Sequence, residues 1–123
     1  MAFSNAVIVT AKTDPFHPIR HAVMNAIDKL ANIRGGGAWL NDANAEYSSS
    51  EKTIEMPQGY LLNSYDVYLT HEPCLMCAMG LVHSRVRRVF FNQLSSRGAL
   101  GTLAKLHTIQ ELNHAFEVFR IFL

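Results

Sequence analysis

Apolar positions recur along this chain at two different spacings. Ala22, Val23, Ala26, Ile27 and Leu30 fall three and four residues apart, the repeat of a helix with one buried stripe. Pro18 suits a first helical turn and Gly35 suits a helix end, so the pattern predicts a helix from near Pro18 to near Gly35. Elsewhere the apolar runs are short and β-rich. Ala6 to Thr10 (AVIVT), Val67 to Thr70 (VYLT) and Arg88 to Phe91 read as strands. His71-Glu72-Pro73 reads as a turn into a second helix from about Cys74 to Ser84. Ser95 to Gly101 is a glycine-containing loop, and a short helix or irregular stretch leads to Leu112-Asn113-His114. Phe116 to Ile121 alternates only in part and is open to either a strand or a helix. Strands alternating with helices predict an α/β domain with parallel strand pairs. No internal repeat is present.

Arg34 to Gln58 breaks the pattern. It holds Gly35-Gly36-Gly37, several Asn and Asp residues, and Ser48-Ser49-Ser50, and is expected to be a flexible insertion. Trp39 within it is expected to anchor it to the core or to a partner.

Composition narrows the class. At 123 residues with 49% hydrophobic and 17% charged residues, the chain is sized for one globular domain. No apolar run reaches the roughly 20 residues that span a bilayer, and the first residues lack the basic-then-apolar pattern of a secretory signal. Neither membrane insertion nor secretion is expected. A net charge of +1 is weak for a protein that must hold RNA alone. The one local basic cluster, Arg85, Arg87 and Arg88, reads either as an RNA contact or as a solvated helix end.

The chemistry concentrates in three residues. Only two cysteines occur, spaced Cys74-x-x-Cys77, which suits an intracellular metal or redox site better than a disulfide framework. Pro73 is expected to set both thiols in the first turn of a helix, one turn apart on one face, where the dipole favours thiolate. His21 is expected near the start of the earlier helix. One imidazole and two thiolates suit Zn2+ with a fourth position open. For that position a water or the chain's own C-terminal carboxylate are the alternatives. The other histidines read as local: His17 at a helix entry, His71 in a turn, His83 packed or at an interface, His107 and His114 hydrogen-bonded near the last strand.

Pro-Cys-x-x-Cys downstream of a helix-start histidine matches the zinc deaminase signature, in which a glutamate stands two residues after the histidine. Here the sequence is His21-Ala22-Val23. Valine has no proton to accept or give, so the general acid–base step, worth on the order of 100- to 10,000-fold, is missing. Glu72 precedes the Pro-Cys pair; holding the turn is its expected job, and replacing the missing acid–base group is the alternative.

His17-Pro18-Ile19-Arg20-His21-Ala22-Val23-Met24 and Thr70-His71-Glu72-Pro73-Cys74-Leu75-Met76-Cys77-Ala78-Met79 closely resemble the cytidine and deoxycytidylate deaminase superfamily. Leu81 to Arg85, Arg88 to Phe91, Gly98 to Thr102, Leu106-His107, Leu112 to His114 and Val118 to Arg120 extend the match toward the non-catalytic subunits of eukaryotic tRNA-specific adenosine deaminases. The resemblance implies a three-layer α/β/α fold, a mixed sheet of about five strands flanked by helices. Across residues 1–123 that domain is expected to be incomplete at its N-terminus. The resemblance also implies zinc ligands His21, Cys74 and Cys77, a pseudo-catalytic Val23, and a heterodimer with a catalytic subunit that turns wobble adenosine of tRNA into inosine in nucleus and cytoplasm. It makes the second helix an interface element through Ala78, Met79, Leu81, Val82 and His83, with plain core as the other reading of its apolar residues. An active nucleoside or nucleotide deaminase and a purely structural zinc module are the alternatives.

Overall fold

A computed structural model of the chain describes residues 7–35, 61–63 and 65–122. The chain divides into two compact units, Met1–Tyr60 and Leu61–Leu123.

In the first unit the described residues form an entry segment and one helix, α1 (Ala22–Ile33). Val23, Leu30 and Ala31 are buried, joined by Asp28, while Ala22, Ala26 and Ile27 are only partly covered. The helix begins at Ala22 and not near Pro18, because Pro18 and Ile19 lie in a turn. That turn is tied down by neighbours. Asp14 N–H donates to Arg20 O at 2.9 Å, and the Asn25 amide donates to Lys12 O at 2.8 Å and to Arg20 O at 3.1 Å. At the other end Gly35 takes φ 91°, the left-handed conformation that stops a helix and costs glycine nothing. Residues 36–60, which hold nearly all of the expected insertion and Trp39, lie outside the described residues.

Val7 to Thr10 forms no strand, contrary to its β-rich composition, and Ala6 lies outside the described residues. Val7 is 78% exposed, and the Thr10 carbonyl accepts a hydrogen bond from the Lys29 ammonium at 3.0 Å, not from a neighbouring strand. Propensity favours an extended backbone, but a strand also needs a partner for its amides.

The second unit carries a three-stranded sheet in the order β1-β2-β3. The strands are β1 (Asp66–His71), β2 (Arg88–Gln93) and β3 (Glu117–Arg120). Both pairings are parallel, with Val67 opposite Val89 and Val89 opposite Val118. The described residues thus hold three parallel strands where a mixed sheet of about five was expected. The open choice over Phe116 to Ile121 resolves as a strand, since Phe90 and Phe91 supply partners to Phe119 and Arg120.

The crossover from β1 to β2 is α2 (Leu75–His83), and a 3-10 turn at Leu106–Thr108 lies on the way to β3. A crossover helix is how the chain returns to the starting edge between two parallel strands. Cys77, Ala78, Leu81 and Val82 are buried on α2; Val89 and Phe91 are buried on β2. The rings of Tyr68, Phe90 and Phe119 stack across the three strands with centroids 4.8 and 5.1 Å apart.

Candidate metal centre

In a parallel sheet all strands point one way, so the chain segments that follow them gather at one end. Glu72, Pro73 and Cys74 follow β1, and the loop 94–105 follows β2. The two segments are laced together. Glu72 N–H donates to Gln93 O at 2.7 Å, Ala99 N–H donates to Pro73 O at 2.9 Å, and Cys74 pairs with Gly98 in an isolated antiparallel bridge.

The two thiols sit where the helix begins. Cys74 is the N-cap of α2, with extended backbone at φ −70° and ψ 174°, so it stands just before the first turn and not inside it, and Pro73 stands one residue earlier still. Cys77 lies three residues on, inside the first turn and buried. Neither cysteine is in a disulfide.

His21 occupies the matching position in the first unit, as the N-cap of α1. At both N-caps the side chain makes no capping hydrogen bond to its own helix. In α1 the Thr13 hydroxyl does that work instead, accepting from Ala22 N–H at 3.1 Å. By residue type, the His21 imidazole of the first unit and the Cys74 and Cys77 thiols of the second are the kinds of ligand a metal ion takes. An imidazole with two thiolates fits zinc, which takes nitrogen and sulfur ligands and in catalytic sites keeps a position open. Val23, two residues after His21, is 6% exposed.

Glu72 has another task. Its carboxylate is 3% exposed and accepts hydrogen bonds from the amides of Ser95 at 3.3 Å, Leu100 at 3.1 Å and Thr102 at 3.0 Å, and from the Thr102 hydroxyl. Burial pushes its carboxyl up, but the Thr102 hydroxyl and the three amides outweigh burial and hold it below the usual carboxylate range. A carboxylate has room for about four donors, and all four places are taken. Gly98 and Thr102 therefore belong to the architecture of this end of the sheet. The run Gly98 to Thr102 carried the family resemblance, but no local rule connects it to Glu72.

The other named residues fall in separate places. On α2, Ala78, Leu81 and Val82 are buried in the chain's own interior, which leaves Met79, partly covered, and His83, exposed, as the interface candidates a partner can reach. Arg85 and Arg87 lie just before β2 and Arg88 is its first residue, at the opposite end of the sheet from Cys74. Arg87 and Arg88 both bind the Asp66 carboxylate, and Arg85 donates to Asn113 O at 2.7 Å. His17 Nδ1 accepts from Ile19 N–H at 3.3 Å, His71 Nδ1 meets the Thr70 hydroxyl at 3.0 Å, and His114 Nε2 meets Val86 O at 2.7 Å. Burial, helped by Lys105, pushes the His107 imidazole down.

Among the described residues no helix is long and apolar enough to cross a membrane. Comparison with known proteins gives the family. Residues 4–93 match the family model of the cytidine and deoxycytidylate deaminase zinc-binding region. The chain is 40% identical to a probable inactive tRNA-specific adenosine deaminase-like protein 3 of Danio rerio, over 94% of this chain and 39% of that protein. It is 39% identical to the tRNA-specific adenosine deaminase subunit TAD3 of Saccharomyces cerevisiae, over 84% of this chain and 29% of that protein. The chain thus spans well under half the length of these curated relatives. A solved structure from work on A-to-I editing by tRNA:A34 deaminases shares the fold, with a TM-score of 0.59 at 22% identity, covering 83% of this chain and 62% of that one. The chain belongs to the cytidine and deoxycytidylate deaminase family, in its zinc-binding region.

Proposed function

We propose that this chain is a zinc-binding, catalytically silent deaminase domain that works as one subunit of a tRNA adenosine deaminase, in which a catalytic partner converts wobble adenosine to inosine. The observation that carries the reading is Val23. It stands in the first turn of α1, buried, where the family's acid–base glutamate is expected. Zinc held by His21, Cys74 and Cys77 would supply a Lewis acid and a water of lowered pKa. Val23 has no atom that can take a proton from such a water or pass one to a base. Glu72 is no substitute, because its four acceptor places are engaged by Ser95, Leu100 and Thr102. The names of the similar proteins, one inactive and one a deaminase subunit, support the same reading.

In this reading the fold is the three-layer deaminase sandwich. Met79 and His83 are the α2 residues that meet the partner, and tRNA is bound by the complex, with Arg85 the least engaged of the three basic candidates. Nucleus and cytoplasm are the expected compartments. The test is reconstitution. The purified chain is incubated with tRNA alone and then with a catalytic deaminase subunit, and inosine at the wobble position is measured. Inosine is expected only from the pair. Inosine from the isolated chain would sink the reading. Zinc content by elemental analysis should fall in His21→Ala and Cys77→Ala.

A further inference from the structure

Cys74 and Cys77 are not held in the same way. Cys77 lies inside α2, where the helix's own hydrogen bonds fix its backbone. Cys74 is the N-cap: its carbonyl accepts the first helical bond, from Ala78 N–H at 2.9 Å, but its own φ and ψ are extended and the helix does not set them. On the side away from the helix, its backbone meets the loop after β2. Gly98 forms the antiparallel bridge with Cys74, and Ala99 N–H donates to the carbonyl of Pro73.

That loop has a buried anchor. The Glu72 carboxylate gathers the amides of Ser95, Leu100 and Thr102 and the Thr102 hydroxyl, and so ties both ends of the segment 95–102 to the residue just before Pro73. The fit is close at Gly98. A Cβ built there would lie 2.0 Å from the carboxylate carbon of Glu72 and 2.2 and 2.3 Å from its oxygens. Gly98 O also accepts from Leu103 N–H at 2.8 Å, which closes the loop on itself. Side chain, loop and N-cap therefore form one closed circuit: Glu72 holds the loop, and the loop holds Pro73 and Cys74.

We propose that Glu72 is a positioning residue for the metal centre: by gripping the Ser95 to Thr102 loop it fixes the backbone that presents the Cys74 thiolate. This rests on the reading that Cys74 and Cys77 bind zinc. Residues that orient a ligand without touching the metal commonly change metal affinity about 10- to 100-fold when replaced. Glu72→Gln keeps the size of the side chain but replaces an acceptor oxygen with an N–H2 group that faces amide donors, so the grip fails. Thr102→Val removes only the hydroxyl and leaves the amide.

The experiment titrates zinc into the purified chain against a chromophoric chelator and records the thiolate-to-metal absorption of the cobalt form. Glu72→Gln should bind zinc on the order of 10- to 100-fold more weakly, with a weakened or shifted cobalt band. Thr102→Val should move both readouts the same way by less. Asp66→Asn, at the far end of β1, should leave both at the wild-type value, separating positioning from general loss of stability. Wild-type affinity and an unchanged cobalt band in Glu72→Gln would overturn the proposal. If Glu72→Gln does not fold, wild-type affinity in Thr102→Val overturns it instead. A wild-type chain that takes up no zinc would overturn the zinc reading itself, a different outcome from equal binding by wild type and variants.

Discussion

Asp66 and Arg88 face each other on the first rung of the β1–β2 ladder, and the guanidinium grips the carboxylate with two nitrogens. Arg87 adds two more contacts to the same oxygens, at 3.1 and 3.0 Å. One carboxylate thus ties down the entry of β2 and two like charges that would otherwise repel. β1 begins at this saturated carboxylate, and the residue after its end, Glu72, is saturated in its turn.

The Asp66 clamp predicts a specific acid sensitivity. The Arg88 hydrogen bond, against the opposing effect of burial and with help from Arg87, lowers the Asp66 carboxyl from 3.8 to about 2. A depressed carboxylate contributes stability that is complete above its unfolded value and is lost as pH falls through the folded one. The contribution should therefore be full above pH 3.8 and vanish as pH falls toward about 2. Denaturant midpoints of the wild type and Asp66→Asn should differ at neutral pH and converge across that window. Curves that stay parallel down to the acid limit would mean Asp66 is not the titrating group.

Arg85 follows the C-cap of α2 with φ 61°, a left-handed conformation that a residue with a Cβ adopts at a cost of about 1–2 kcal/mol. Arg85→Ala and Arg85→Gly both lose the bond to Asn113 O, but only glycine removes the backbone strain. Arg85→Gly should be the more stable of the two by about 1 kcal/mol in urea unfolding. Equal stability would show that α2 ends in a relaxed turn.

How far this architecture was legible in the sequence depends on the range of the contact. The α1 stripe follows from spacing along one segment, and Val23 and Leu30 in it are buried; α2 follows from Pro73 and the strands β1 and β2 from short apolar runs, while Leu81, open between interface and core, is core. The strand expected at AVIVT failed because its pairing partner is not a local property. At the candidate centre, Pro73 and the C-x-x-C spacing announced a helix start bearing both thiols, though not that Cys74 would be the N-cap. Glu72 was a choice between two jobs until the loop 95–102 came into view, about 30 residues on. Asp66 drew no notice at all, because its partners Arg87 and Arg88 are separated from it by a whole crossover helix.

Gly98→Ala should be costly although glycine there has no unusual φ. The added Cβ would overlap the Glu72 carboxylate, and that side chain cannot swing away without abandoning four hydrogen bonds in a buried site. A loss on the order of 2–4 kcal/mol is expected in thermal or urea unfolding. Gly101→Ala is the control, since a Cβ there would meet a Glu72 oxygen only at 4.0 Å, an ordinary contact. A mild Gly98→Ala would mean the loop stands further from Glu72.

Val23→Glu asks whether the position two residues after His21 can house a carboxylate. Two effects oppose each other. Val23 is 6% exposed, and burying an ionised carboxylate there without a partner costs so much that the group takes up a proton instead; even the neutral acid costs about 1–3 kcal/mol where its hydrogen bonds go unmade. A negative charge in the first turn of α1 also gains from the helix dipole, but only about 0.3–1 kcal/mol. Burial should win, so the metal-free variant should melt below the wild type. Val23→Leu, which changes volume but not polarity, should cost less than the glutamate. If Val23→Glu melts with the wild type, the position offers a polar, hydrated niche for a carboxylate, and under the proposed function one side chain, not a rebuilt pocket, would separate this domain from an active one.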